Sequence, residues 1–102
     1  MLVIAVMYPS GNDTIFDHDY YMKSHMPLVQ KLWSPLGLQG ATVMRGIAGP
    51  DGAAPTYVVI TQLTFASMDV FKEAAAKHGG EIFADIPKFT NSTPLLQFNE
   101  GA

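Results

Sequence analysis

The run Leu2-Val3-Ile4-Ala5-Val6-Met7-Tyr8 is apolar at every position and rich in β-branched residues. It is too short to span a membrane and has the length of a strand buried on both faces. Pro9-Ser10-Gly11-Asn12-Asp13 ends it with turn chemistry. From Asp17 the period becomes helical. Asp17, Tyr21 and His25 recur at four-residue intervals and share a stripe that Leu28 and Leu32 continue. Asp17 suits an N-cap, and Pro35 with Gly37 stops the helix near Leu36. Pro27 cannot donate to the carbonyl of Lys23 and disfavours helical backbone at Met26, which predicts a kink or restart just after His25.

A second strand is expected over Ala41 to Ile47, followed by a turn at Gly49-Pro50-Asp51-Gly52 and Pro55. The third strand, Tyr57 to Phe65, alternates Tyr57, Val59, Thr61, Leu63 and Phe65 on one face with Val58, Ile60, Gln62 and Thr64 on the other. Ser67 caps a second helix whose Met68, Phe71, Ala74, Ala75 and His78 keep the helical period until Gly79-Gly80 stops it, with Glu81 to Ile86 as one further turn. The last strand is expected over Thr93 to Asn99, its Pro94 favouring the strand start or an edge.

The order β-α-β-β-α-β is the ferredoxin-like, α+β arrangement, with two helices on one face of a four-stranded antiparallel sheet. Residues 1–102 form a single domain with no repeat or linker. Strand 1 is apolar on both faces, and Val58, Ile60, Leu96 and Phe98 extend that character. The helix-free face therefore calls for cover, which predicts a homodimer closed through the sheet face.

Composition sharpens this picture. Hydrophobic residues make up 48% of the chain and charged ones 15%, a low charge content that agrees with self-association. Six Lys and Arg residues against nine Asp and Glu give a net charge of −3, with no basic stripe for a phosphate backbone, so nucleic acid is not an expected partner. A membrane is not expected either. With no cysteine there is neither a disulfide framework nor a thiolate nucleophile, and the cytoplasm is the expected compartment.

Two blocks carry a resemblance to a known family. Phe16-Asp17-His18-Asp19-Tyr20-Tyr21 followed by His25-Met26-Pro27-Leu28-Val29 resembles the first-helix signature of the EthD family. Ile82-Phe83-Ala84-Asp85-Ile86-Pro87-Lys88-Phe89-Thr90-Asn91, leading into Thr93-Pro94, resembles that family's segment before the last strand. The resemblance implies a dimeric α+β barrel, the superfamily that also holds cofactor-free monooxygenases, dehydratases and lactone isomerases. An oxidoreductase label follows by family association only.

His25 is the first catalytic candidate, because imidazole exchanges a proton near neutral pH and a carbonyl freed by Pro27 would fix its tautomer. Tyr21, one turn earlier, would orient His25 or bind a substrate oxygen. Tyr20 points about 100° away from Tyr21, so only one of the pair shares the stripe with His25. Substrate-binding candidates are Trp33 and Phe89 as apolar walls, Tyr20, Asn91 and, in the last turn of the second helix, His78. Asp17 and Asp19 read as cap and dipole partners, whereas Asp85 and Asn91 are expected either to contact the first helix or to serve turn and cap duties beside Pro87 and Pro94.

His18 lies two helical turns, about 10.5 Å, from His25, so no metal site is expected. The glycines form no dinucleotide or phosphate fingerprint, and no cofactor is expected. The residues fit an enzyme that acts on a small apolar, oxygen-bearing molecule, polyketide-like, aromatic or ether-derived, by cofactor-free acid–base chemistry. The alternative is a non-catalytic small-molecule-binding or accessory dimer of an oxidative degradation pathway.

Overall fold

The computed structural model describes residues 1–102. Its strands are β1 (Leu2–Pro9), β2 (Leu38–Arg45), β3 (Tyr57–Phe65) and β4 (Leu95–Glu100). They form one antiparallel sheet in the order β2-β3-β1-β4. The expected ferredoxin-like architecture is thereby present, with β1, the most apolar strand, at the centre between β3 and β4. Ile4 lies opposite both Leu63 and Phe98, and Val6 opposite both Thr61 and Leu96. These rungs place Leu2, Ile4, Tyr8, Val59, Thr61, Leu63 and Phe65 on one buried face.

That register corrects one expectation. Leu96 and Phe98 share rungs with Val6 and Ile4 and so belong to the helix-covered face; the helix-free face carries Val3, Ala5, Met7, Val58, Ile60, Met44 and Leu95 instead. Strand limits also move by a few residues. β2 begins at Leu38, not Ala41, because the left-handed Gly37 (φ 109°) turns the chain directly out of the preceding 3-10 turn Ser34–Leu36. β4 begins after Pro94, which has no N–H to give the ladder.

The first helical stretch is composite: α1 (His18–Tyr20), a π-helical segment Tyr21–His25 and α2 (Met26–Trp33). Asp17 caps it as expected, its carboxylate accepting from the Tyr20 N–H at 3.0 Å. The expected break after His25 is this π segment, in which the Met26 N–H donates to the Tyr21 carbonyl, five residues back. Its wider turn has a consequence for phase. In an unbroken α-helix each four-residue step overshoots a turn by about 40°, so three steps would carry Trp33 about 120° away from Tyr21. The π segment takes back part of that rotation, and Tyr21, His25, Val29 and Trp33 are all buried. Leu28 and Leu32, expected to continue the stripe, are only half-buried for the same reason.

The second helix, α3, runs unbroken over Met68–Asp85, through the Gly79-Gly80 pair that was expected to stop it. Two helical glycines cost about 1 kcal/mol each. Burial of Gly79, Ile82 and Asp85 against the rest of the fold outweighs that cost, and the end comes where Pro87 forces the 3-10 turn Ile86–Lys88. His78 is therefore mid-helix rather than in a last turn, with Glu81 at 3.1 Å.

Candidate functional site

The continuation of α3 beyond Gly80 carries Asp85 to the first helical stretch. Asp85 Oδ2 lies 2.9 Å from His25 Nδ1, and Asp85 Oδ1 accepts the Tyr20 hydroxyl at 2.8 Å. His25 and Asp85 are both buried, at 3% and 7% exposure. Lys88 Nζ approaches Asp85 Oδ1 only to 3.7 Å and is itself largely exposed, so it adds little. The carbonyl expected to set the His25 tautomer is replaced in that role by a carboxylate from the other helix.

Burial alone would raise the Asp85 carboxyl, but the hydrogen bonds from His25 and Tyr20 hold it below its ordinary range. Asp85 is thus an acceptor, and His25 Nδ1 must donate to it. For His25, burial pushes the imidazole below its ordinary value, against the pull of Asp85. At neutral pH the ring is therefore uncharged, with its proton on Nδ1 and a lone pair on Nε2. Nε2 makes no hydrogen bond within the chain, yet no buried side-chain polar atom is sealed away unpaired, so Nε2 keeps contact with open space.

His25 also lines a cavity of about 40 Å³ between the helices and the sheet, large enough for a few water molecules. His25, Tyr21, Thr61, Trp33 and Val6 are among its 14 lining residues, of which 12 are hydrophobic. Tyr21 stacks on His25 with ring centres 5.3 Å apart, and its hydroxyl meets Thr61 Oγ1 at 2.5 Å. Burial raises the Tyr21 phenol, so it remains a protonated hydroxyl. Neighbouring Tyr8, 1% exposed, is raised further by burial and by Tyr21.

Phe89 packs its ring against His25 (4.6 Å), Tyr21 (4.9 Å), Phe16 (5.3 Å) and Tyr8 (5.8 Å), holding the imidazole in place without itself lining the cavity. The segment around it is tied to the start of the first helical stretch. The Asp17 N–H donates to the Phe89 carbonyl at 2.7 Å, and the Asn91 amide bonds both the Ile15 N–H and the Asp13 carbonyl at 2.9 Å.

The structure thus brings His25, Tyr21, Tyr20 and Phe89 together and places Trp33 at the cavity wall, its indole N–H donating to the Ala74 carbonyl at 2.9 Å. Tyr20 joins through Asp85 rather than through the stripe. Asn91 and His78 lie elsewhere: Asn91 is an exposed clamp between loops, and His78 sits on the outer side of α3 with Glu81. Thr61 is a functional candidate that the sequence pattern did not single out, and Asp85, expected either to contact the first helix or to serve as a turn or cap residue, makes the contact. No three His, Asp or Glu side chains converge closely enough to hold a metal ion. No helix is long and apolar enough to cross a membrane.

A family model, the EthD domain, matches residues 13–93, a span that includes Tyr21, His25, Thr61 and Asp85. The chain belongs to the EthD family. A solved EthD-like protein from Ralstonia eutropha JMP134 is 36% identical, with a TM-score of 0.90 over 97% of this chain and 89% of that one. An ethyl tert-butyl ether D (EthD) family protein from Bacillus halodurans C-125 is 20% identical, with a TM-score of 0.80 over 100% of this chain and 99% of its own. SnoaB, a cofactor-independent oxygenase from Streptomyces nogalater, shares the fold at 15% identity and a TM-score of 0.60, over 98% of this chain and 90% of its own. No curated protein matches the sequence.

Proposed function

We propose that this EthD-family chain is an enzyme that moves a proton on a small, largely apolar, oxygen-bearing molecule without a cofactor. The observation that carries this reading is the His25 imidazole, held through Nδ1 by buried Asp85 while Nε2 is left without a partner beside an apolar cavity. In such a site Nε2 takes a proton from a carbon next to a carbonyl, or from a phenol, and Asp85 stabilises the imidazolium that forms. The Tyr21 hydroxyl, anchored by Thr61, supplies the hydrogen bond to the developing oxyanion. Enolisation or elimination of water needs no more than this. An aromatic or polyketide-like substrate whose carbanion reacts directly with dioxygen would extend the same first step to oxygenation, the reaction class named for SnoaB.

The assembly belongs to the same reading. On the helix-free face Met44, Ile60, Met7 and Leu95 stand on one rung across all four strands, and Met44 and Leu95 are 44% and 51% exposed. A second copy of the sheet covers that row, giving the homodimer of a dimeric α+β barrel.

The test is exchange of the methyl protons of acetophenone in deuterated water, followed by NMR. The wild-type protein accelerates exchange, and His25→Gln lowers the acceleration by about 10²–10⁴-fold. Equal exchange by both proteins contradicts the assignment. One observation favours a second reading: the His25–Asp85 pair is buried and joins the first helical stretch to α3, as a structural contact would. A non-catalytic binding or accessory dimer predicts saturable binding of such ketones with no exchange.

A further inference from the structure

We infer that the cavity is loaded over the β4 edge of the sheet, through a mouth walled by Phe83 and Leu96, and that it takes an elongated, uncharged, mainly apolar molecule carrying an oxygen at its leading end. This rests on the proposed role of the same cavity and adds the route and the shape of what enters. Of all the residues lining the cavity, only Phe83 and Leu96 are exposed, at 47% and 38%. An exposed phenylalanine near the end of a helix contributes little to the core, and its two rotatable side-chain bonds let it swing aside. With Phe83 in place the cavity admits only a few water molecules, so a ring-sized ligand enters by displacing it.

The sheet register sets the depth. Leu96, Val6 and Thr61 occupy one rung across β4, β1 and β3, and all three line the cavity. Neighbouring strands are about 4.8 Å apart, so the path from the β4 edge to the Thr61–Tyr21 hydroxyl pair is about 10 Å. Val6 is apolar along that path, and the hydrogen-bonding groups wait at its inner end and beside His25. No Lys, Arg, Asp or Glu lines the cavity, so a charged ligand would be desolvated without a counter-ion. Leu96 lies on the helix-covered side of the sheet, so the mouth stays open when the opposite face pairs with a second copy.

The probe is 4-butylphenol, which places a hydroxyl at one end of an apolar body about as long as the path. Its control is 4-butylbenzoate, of similar shape but charged. Titrations of the full chain followed by NMR are expected to show saturable binding of the phenol and at least about ten-fold weaker binding of the benzoate. Leu96→Arg at the mouth weakens the phenol by about ten-fold or more, Phe83→Trp slows its association, and Ile47→Arg, at an exposed loop site, changes neither. The Phe83→Trp rate keeps the test decisive should Leu96→Arg fail to fold. Absence of phenol binding, equal binding of the benzoate, or indifference to both mouth variants overturns the inference. The two readings separate cleanly. Mouth-dependent binding with ketone exchange indifferent to His25→Gln sinks the catalytic role alone, whereas His25-dependent exchange with mouth-independent binding sinks the route alone.

Discussion

At His25 two effects oppose each other: burial disfavours the imidazolium and Asp85 favours it, with burial the larger. A histidine whose folded value lies below its unfolded 6.5 is neutral in the fold while the unfolded chain takes up a proton. Its contribution to stability is therefore complete above pH 6.5 and is lost as the pH falls through the folded value. Asp85 acts in the same direction at lower pH, because its folded value lies below 3.8. Resistance to thermal unfolding should thus fall progressively on acidification from about pH 6.5, and His25→Gln should flatten the first part of that decline. Asp85→Asn removes the negative charge and turns one of the two acceptor oxygens into an NH2 donor, so the proton is no longer fixed on Nδ1, and the variant is expected to lower exchange about 10–100-fold and stability by about 1–3 kcal/mol. Unchanged exchange in that variant would mean that the carboxylate does not set the tautomer. His25 and Tyr21 were legible in the sequence because a four-residue spacing and Pro27 both pointed to them. Asp85 was legible only as one of two options, contact with the first helix or a turn and cap duty, since it lies 60 positions from its partner and beyond a Gly-Gly pair that reads as a helix stop.

The elements show why that stop was misread. Local propensity at Gly79-Gly80 argues against helix, but burial of Gly79, Ile82 and Asp85 decides the outcome. Gly80 has open space where a Cβ would stand and lies inside the helix, so Gly80→Ala should stabilise the protein by about 0.5–1 kcal/mol, read as a higher unfolding midpoint. A destabilised Gly80→Ala would show that the helix does not pass through this pair as described. The strands were easier to read, because β1 is apolar throughout and β3 alternates cleanly. Their faces were partly misassigned at β4, where Leu95-Leu96 offers two apolar residues in succession and only pairing with β1 reveals that Leu96 faces the helices.

On the scale of the whole molecule, the sheet separates two tasks. One face, under the helices, holds the His25–Asp85 pair and the cavity; the other carries the apolar row from Met44 to Leu95. Sedimentation should give a species of twice the 11.1 kDa chain mass, and Ile60→Lys, in the middle of that row, should give the monomer. A wild-type monomer would leave the row without its proposed cover. The chemistry proposed for this fold depends on the state of one ring, and nitrogen-15 NMR of labelled histidine observes it directly. Between about pH 8 and pH 4 the expected His25 signal is protonated at Nδ1 and bare at Nε2 and titrates below 6.5, with the Nε2 resonance shifting when 4-butylphenol is added. A proton on Nε2 at neutral pH, or an Nε2 resonance indifferent to the phenol while the phenol binds, would contradict it.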